Sequence, residues 1–323
     1  MSAITEIWHR FNIRRIDDLN NAIWGADLEA IQMPGNGVRG SLAFAARDGI
    51  VFSSGLIDGN VMIAGPLSED CVTLGVVLRT GLGSRLCLEE LEEGDVGIVQ
   101  PGEECDFLCT AGSLYVAATL TRKQLRREAA RDGVALPRSL TGGAGLHPAP
   151  LNGHALASLL QGMERIHKIP TSKGKKAAFG SGLLRSIADH YVHSPTCEGK
   201  RIKATEHARI VRNARDFIRR NLDRPISLDD LAAAAGTSPR TLFRAFSELL
   251  GDTPQNHVRR LRLHRIRREL ISVSETTVSA AAHHWGIGQD LGRFSRSYRE
   301  LFGENPSSTL EHGLALRLDD TTL

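Results

Sequence analysis

Arginine recurs at matching positions in two short stretches of the C-terminal third of the chain. Residues 244–254 are RAFSELLGDTP and residues 296–306 are RSYRELFGENP. In both, an arginine precedes an aromatic residue, Glu-Leu, an apolar residue, Gly, an acid and Pro. The guanidinium group is a planar fork that can bind phosphate or the edge of guanine with two parallel hydrogen bonds. The repeated arginines are therefore candidates for contact with nucleic acid.

The first stretch ends a predicted amphipathic helix that begins at Ser238, with Pro239 at its first position and Gly251 after its end. At about 100° per residue, the apolar side chains form one stripe, which predicts a buried face. That face comprises Leu242, Phe246, Leu249 and Leu250. The candidate DNA contacts on this helix are Arg240, Thr241, Phe243, Arg244 and Ser247. For Phe243, on the stripe's margin, packing on the preceding helix and contact with a thymine methyl both remain open.

A shorter helix precedes this one. Ser227 is its predicted N-cap, Asp229 and Asp230 occupy its first turn, and Gly236 ends it. Two capped helices joined by a short glycine-containing turn are typical of a helix-turn-helix unit.

The second stretch predicts a second unit of the same kind. TVSAAAHHWG supplies its first helix. On the second helix, the apolar residues Leu291, Phe294, Tyr298, Leu301 and Phe302 share a face. The candidate contacts here are Gly292, Arg293 and Arg296. The turn is longer than in the first unit, because Gly286 and Phe294 are farther apart in sequence than Gly236 and Leu242.

Between the units, PQNHVRRLRLHRIRREL predicts a rigid connecting helix with apolar positions at Val258, Leu263, Ile266 and Leu270. Its arginines either form a solvated face or pair with acids of the flanking units. A rigid connector would fix the separation of the two reading helices, which must be about 34 Å to enter successive major grooves.

Residues 209–312 resemble the tandem helix-turn-helix domain of the AraC/XylS family of bacterial transcriptional regulators. GRFSRSYRELFG is similar to the branch that includes ethanolamine-operon activators. The resemblance implies a sequence-specific DNA-binding regulator, an activator with RNA polymerase as partner, working as a dimer, and neither an enzyme nor dependent on a cofactor. Its reading positions fall on Arg240, Phe243 and Arg244, and on Gly292, Arg293 and Arg296. The longer second turn and Ile287 depart from the family pattern.

The N-terminal part has the sequence pattern of β-strands rather than of helices. Residues 42–120 contain short β-branched or alternating runs such as IVFSSGLI, VTLGVVLR and SLYVAATL, separated by Gly, Asp and Pro. They predict an antiparallel barrel or sandwich, which the resemblance implies to be a cupin-like sensory domain that binds an effector.

The predicted fold class is α+β, in four parts. Residues 1–150 form the sensory domain, 151–205 a helical dimerisation or linker segment, 206–312 the DNA-binding domain and 313–323 a tail. The apolar stripe of the helical segment, which includes Leu156, Leu159, Met163 and Ile166, either covers the barrel or forms a subunit interface.

A cluster of arginines is a candidate effector site. HRFNIRR supplies Arg10, Arg14 and Arg15, and Arg39 precedes the strands. Arg10 and Arg14 are spaced as in the arginine motif by which PilZ domains bind cyclic di-GMP, which suggests a phosphate-bearing effector. The alternatives are a surface cluster paired with Asp17, Asp18 or Glu29, and an unrelated small molecule held inside the barrel.

Composition limits the other function classes. The chain has 323 residues, 41% of them hydrophobic, with no apolar run long enough for a membrane span. Residues 1–150 are net acidic, whereas residues 151–323 are net basic and rich in arginine. The 5 cysteines are scattered, which favours reduced thiols in a cytoplasm and no metal site. His9 is the sole histidine before His147, and a cupin-type metalloenzyme needs histidine ligands, so this enzyme class is disfavoured. The alternative functions are a cupin-type enzyme and a protein-binding regulator with a helical appendage.

Overall fold

The computed structural model describes residues 5–35, 37–131, 133, 145–147, 149–171, 174–193, 205–272 and 276–320. It divides the chain into two compact units. The first comprises Met1–Ala30 and Val38–Lys203, and the second comprises Ile31–Gly37 and Ala204–Leu323. Most of the Pro- and Gly-rich stretch 136–150, together with Cys197, lies outside the described residues.

The first unit is built on antiparallel strands, all of which lie within it except the last two residues of β2. They are β1 (Glu6–Ile13), β2 (Glu29–Gln32), β3 (Arg39–Arg47), β4 (Ile50–Asp58), β5 (Val61–Pro66), β6 (Val72–Arg79), β7 (Arg85–Leu86), β8 (Glu89–Glu90), β9 (Val96–Val99), β10 (Glu104–Cys109), β11 (Ser113–Leu120), β12 (Gly145–Leu146) and β13 (Lys175–Ala177). One sheet has the order β12-β9-β6-β11-β4-β3-β1-β13, and the other β2-β5-β10-β7-β8. These two sheets confirm the antiparallel β prediction for the N-terminal part.

Three helices cover the core of this unit: α1 (Arg122–Arg131), α2 (Gly153–Ile166) and α3 (Phe179–His193). A short 3-10 helix, Ile16–Asn21, follows β1. The apolar stripes of α2 and α3 pack with the sheet side chains, including Trp8 and Phe52, in one buried cluster. For these stripes the structure therefore supports the covering role, since their apolar side chains are already buried within one chain.

A buried ion triad joins the elements of this unit. Arg47 of β3 donates to Glu6 of β1 at 2.7 Å and to Glu128 of α1 at 2.8 Å. Glu6 also accepts the backbone N–H of Gly180 on α3. Burial raises the pKa of Glu6, although its hydrogen bond from Gly180 and the charge of Arg47 oppose that rise. The triad thus ties a strand pair to two of the three covering helices, α1 and α3.

The second unit is helical. Its helices are α4 (Glu206–Asn221), α5 (Leu228–Ala235), α6 (Pro239–Leu250), α7 (Pro254–Ser272), α8 (Val278–His284), α9 (Leu291–Phe302) and α10 (Pro306–Asp320). Helix α10 continues through residues 313–320, the first part of the segment that was predicted to be a tail. None of the described helices combines the length and apolar character needed to cross a membrane.

Candidate nucleic-acid interface

Side-chain caps define both helices of the first helix-turn-helix unit. Ser227 accepts the N–H of Asp230 at 3.1 Å, and the Asp230 carboxylate accepts the N–H of Ser227 at 3.0 Å. Ser238 accepts the N–H of Thr241 at the start of α6. Gly236, with φ of 64°, ends α5 in the left-handed region, where glycine carries no Cβ penalty. The predicted caps are confirmed.

Helix α6 has a buried face and an exposed face, as its periodicity predicts. Leu242, Phe246, Leu249 and Leu250 are buried. The candidate contacts lie on the other side: Arg240, Phe243, Arg244 and Ser247 are exposed and Thr241 is half-buried. The Phe243 side chain is 45% exposed, so its ring is accessible to an apolar group from outside.

The second unit uses the same devices with a longer turn. Thr277 accepts the N–H of Ala280 to begin α8, and Asp290 accepts the N–H of Arg293 to begin α9. The N–H of Ile287 closes onto the Ala282 carbonyl at 2.9 Å, after which the turn continues to Asp290. Gly288 lies in this extension, where a Cβ would fall 2.2 Å from the ring of His283. The longer turn is confirmed.

Helix α9 repeats the exposed face of α6 with one difference. Phe294 and Tyr298 are buried, and the candidate contacts Gly292, Arg293 and Arg296 are exposed. The placement of Leu291 on the buried face is wrong, because this side chain is 40% exposed. As the first residue of α9, Leu291 has no preceding turn of its own helix to pack against.

The arginines of the second unit fall into two groups. Within the described part of the chain, no hydrogen bond or ion pair engages the guanidinium groups of four exposed side chains, Arg240, Arg244, Arg293 and Arg296. By contrast, Arg262 of α7 donates to the carbonyl oxygens of Leu222 and Arg224. The arginines of α7 therefore serve mainly to hold the unit together, whereas those of α6 and α9 are available to an external partner.

An arginine of α7 forms an ion pair with an acidic residue just after α6, and another does so just after α9. Arg260 donates to Asp252, just after α6, at 3.3 Å. Arg267 donates to Glu304, just after α9, at 2.6 Å. Asp252 and Glu304 are the repeated acid of the two sequence stretches, so the repeat marks the points at which α7 holds the two helices. Of the two alternatives for the α7 arginines, pairing with acids of the flanking units therefore holds for Arg260 and Arg267, and Arg267 is only 2% exposed.

Two histidines of α7 are buried, and nothing in the sequence pattern indicated this. His257 is 1% exposed, lies edge-on to Phe246, and neither ring nitrogen has a hydrogen-bond partner among the described residues. His264 accepts the backbone N–H of Gln32 within the same unit. Burial lowers the pKa of each to about 3, and nearby arginines add to the effect. Both rings are therefore neutral at neutral pH.

The candidate effector arginines lie around one end of β1. Arg14 and Arg39 each lie one residue beyond the last pair of β1 and β3, which joins Ile13 and Gly40, so their backbones are adjacent. Arg10 is half-buried and donates to the Ile169 carbonyl at 3.4 Å, and its buried Nε has no partner among the described residues.

Arg14, Arg15 and Arg39 are exposed. Asp18 accepts the backbone N–H groups of Arg14 and Arg15, so this carboxylate caps the 3-10 helix rather than holding their guanidinium groups.

The first unit also contains a cavity of about 60 Å³ that the sequence did not indicate. Its lining is almost wholly apolar and includes Ile63, Val76, Leu86, Phe107 and Val116. The hydroxyl groups nearby are already engaged: Thr73 bonds Thr119, and Tyr115 donates to the Ala22 carbonyl. The described residues contain no cluster of three His, Cys, Asp or Glu side chains that could hold a metal ion.

Residues 231–312 match a family model described as a helix-turn-helix domain. Over 96 residues the chain is 43% identical to the XylDLEGF operon transcriptional activator of Pseudomonas putida, covering 29% of this chain and 30% of that protein. It is 31% identical over 103 residues to a probable thc operon regulatory protein of Rhodococcus erythropolis, covering 31% of each. The chain thus spans less than a third of the length of these relatives.

Among solved structures, a probable AraC family transcriptional regulator from Rhodopseudomonas palustris is 39% identical, with 32% of this chain and 96% of that chain covered and a TM-score of 0.31. Residues 231–312 are thus a helix-turn-helix domain, built here from two such units. In sequence this domain is similar to those of AraC-type transcriptional regulators, as predicted. The relatives are named as regulators and not as enzymes.

Proposed function

We propose that this chain is a sequence-specific DNA-binding protein that activates transcription in the cytoplasm. The observation that carries the proposal is the repeated presentation of exposed arginines, without a partner among the described residues, on two capped helices, α6 and α9, that are both tied to helix α7. Unpaired guanidinium groups favour a polyanionic partner, because phosphate contacts supply much of the affinity of DNA-binding proteins. The relatives' names, which are those of operon activators and regulators, support the same conclusion.

We assign the contacts by position on each helix. Arg240 and Arg244 of α6 would reach guanine edges or phosphates, and the Phe243 ring would pack on a thymine methyl. Thr241 and Ser247 would donate to phosphates.

On α9, Arg293 and Arg296 repeat the arginine role. Gly292 lets the backbone approach the DNA closely, since no side chain intervenes there.

Removal of single arginines tests this assignment. In Arg244→Ala, loss of a bidentate base contact should weaken binding to a selected genomic fragment by about 1–3 kcal/mol, or roughly 5- to 150-fold. Arg296→Ala should behave in the same way. Arg185→Ala is the matched control, because it removes an exposed arginine of the first unit. Unchanged affinity of both test variants in a gel shift would contradict the assignment.

We propose that the first unit is a cupin-like effector-binding domain and that a phosphate-bearing effector, with cyclic di-GMP as the specific candidate, binds at Arg10, Arg14, Arg15 and Arg39. The support is the adjacency of Arg14 and Arg39 and the unpartnered, buried Nε of Arg10.

Calorimetry with cyclic di-GMP tests this site. Arg10→Ala combined with Arg14→Ala should abolish the heat of binding, whereas Arg126→Ala, an exposed arginine on α1, should retain it. The absence of heat with the unaltered chain would refute the site.

The cavity favours a second class of effector. Because its walls are apolar and the neighbouring hydroxyl groups are engaged, an occupant should be small, neutral and apolar. Thermal shift measurements with small aromatic hydrocarbons distinguish the two: stabilisation by these compounds, and none by cyclic di-GMP, would place the effector in the cavity.

A homodimer that recruits RNA polymerase completes the proposal. Since the apolar stripes of α2 and α3 are buried within one chain, the exposed aromatic side chains of the first unit are a candidate contact surface for a second copy. Phe11 is 54% and Trp24 50% exposed, and both rings contact Phe44. Sedimentation of Phe11→Ser combined with Trp24→Ser should show a monomer where the unaltered chain is a dimer.

A further inference from the structure

Two of the described cysteines lie side by side in the first unit. The sulfur atoms of Cys87 and Cys105 are 3.5 Å apart, and both side chains are free thiols. Cys105 is on β10, whereas Cys87 opens the two-residue turn that joins β7 to β8. The N–H of Cys87 donates to the Asp106 carbonyl at 2.8 Å, which fixes the turn against β10.

The turn has a conformation that its residues rarely adopt. Cys87 has φ of 49° and Leu88 has φ of 71°, and a turn with positive φ at both central residues favours Asn and Gly. Because Cys87 and Leu88 both have a β-carbon, this conformation is energetically unfavourable for each of them. The turn therefore keeps Cys87 beside Cys105 despite that cost.

The two thiols differ in accessibility and acidity. Cys87 is half-buried, and its hydrogen bond with the Cys105 thiol lowers its pKa. Cys105 is 3% exposed, and the same hydrogen bond together with burial raises its pKa. An accessible thiol of lowered pKa beside a second cysteine is the usual arrangement of a peroxide-sensitive pair, in which the first thiol is attacked and the second resolves it.

We propose that Cys87 and Cys105 are a reversible oxidation site that hydrogen peroxide converts to a disulfide. The Cys87 sulfur attacks one peroxide oxygen, the O–O bond breaks, and a sulfenic acid and one water form. The Cys105 sulfur then attacks the Cys87 sulfur, and the sulfenic hydroxyl leaves as a second water with the Cys105 proton. Two thiols are oxidised by two electrons and one peroxide is reduced to two waters. A dithiol reductant reverses the reaction.

Oxidation at this site reaches the wall of the cavity. Leu86 adjoins Cys87, pairs with Phe107 of β10, and both side chains line the cavity. A disulfide would fix the β7–β8 hairpin to β10 and so restrict the movement of this wall. Amide hydrogen exchange in residues 85–90 should slow on oxidation and recover on reduction.

The test is made on the full chain. Its readout is the disulfide itself, so the result does not depend on DNA binding. After brief exposure to peroxide and alkylation of the remaining thiols, peptide mass spectrometry should show Cys87 joined to Cys105, and dithiothreitol should separate them. Cys71 is the matched control, because it is also half-buried but is hydrogen-bonded to no other cysteine among the described residues. It should react at least about tenfold more slowly, since thiolate content and access govern the rate.

Two variants test the order of the steps. In Cys105→Ser, peroxide should leave a sulfenic acid on Cys87 that a cyclic 1,3-diketone traps. In Cys87→Ser, Cys105 should remain a thiol.

Three results would overturn the proposal: a pair that stays reduced while Cys71 is oxidised, a crosslink to any other cysteine, or a trapped adduct on Cys105. The crosslink in the unaltered chain is read without any variant, so a variant that fails to fold does not obscure the outcome.

Discussion

The two buried histidines of α7 predict that the C-terminal unit loses stability in mild acid. A histidine whose folded pKa lies below its unfolded pKa binds protons preferentially in the unfolded chain. For His257 and His264 the folded value is about 3, against about 6.5 in an unfolded chain. Above about pH 6.5 both rings are neutral in the folded and in the unfolded chain, so their burial carries no protonation cost. The free energy of unfolding falls as the pH drops from there toward 3, because only the unfolded chain then binds protons at these rings.

The magnitude follows from the two pKa values. A pH of 5 is about 1.5 units below the pKa of the histidine in the unfolded chain, where the ring is therefore protonated, whereas the ring in the folded chain is still neutral. This difference lowers the free energy of unfolding by about 2 kcal/mol per histidine. Lowering the pH from 7.5 to 5 should therefore remove about 4 kcal/mol from the free energy of unfolding of this unit. That amount is a large part of the stability of an ordinary domain.

The assay is urea unfolding of the full chain labelled with 5-fluorotryptophan and followed by fluorine NMR. Trp285 is in the second unit, whereas Trp8 and Trp24 are in the first, so its resonance reports this unit alone. His257→Leu is the informative variant, because neither nitrogen of the ring has a hydrogen-bond partner to lose among the residues that the structure describes. It should halve the pH dependence and leave stability at pH 7.5 equal or higher.

His154→Leu, at an exposed position of α2, is the control and should leave the pH dependence unchanged. If His257→Leu retains the whole of the difference between pH 7.5 and pH 5, the ring is not neutral in a buried site.

Three further predictions concern the parts that position the site. Arg267→Met should destabilise the second unit by about 3–5 kcal/mol, because it breaks a buried pair with Glu304; a change below about 1 kcal/mol in urea unfolding would be inconsistent with the tether. Ser238→Ala should cost about 1 kcal/mol through loss of the N-cap of α6, and an unaltered midpoint would show that the cap does not contribute. Gly40→Ala should destabilise the first unit by more than about 2 kcal/mol, since its φ is 137° and a Cβ would fall 1.9 Å from the Leu56 carbonyl oxygen, whereas Gly153→Ala has open space and should be neutral in a thermal melt.

Much of the C-terminal unit could be predicted because its determinants are local. Ser227, Ser238 and Gly236 act within one turn of the backbone they cap, so the sequence around each suffices. The buried face of α6 follows from helical periodicity alone. The prediction failed at Leu291, because periodicity gives the direction of a side chain but not whether anything lies on that side at the end of a helix.

The rest depends on contacts between residues far apart in sequence. The cavity wall contains residues of β5, β6, β7, β10 and β11. The sequence of a single strand does not determine which strands lie beside it, so the cavity could not be predicted from the sequence. Cys87 and Cys105 are brought together only by the turn between β7 and β8. Likewise, the arginines of α7 look alike in the sequence, and the partner of each decides whether it is structural, as Arg267 is, or available.

The most direct test of the central claim is hydroxyl-radical footprinting of the full chain on a DNA fragment that it selects. In each bound subunit, two arginine-bearing helices on one connecting helix predict two protected segments on one face of the duplex, about 10 base pairs apart from centre to centre. Arg244→Ala should weaken protection of one segment and Arg296→Ala that of the other. A single segment, or loss of the same segment in both variants, would contradict the account.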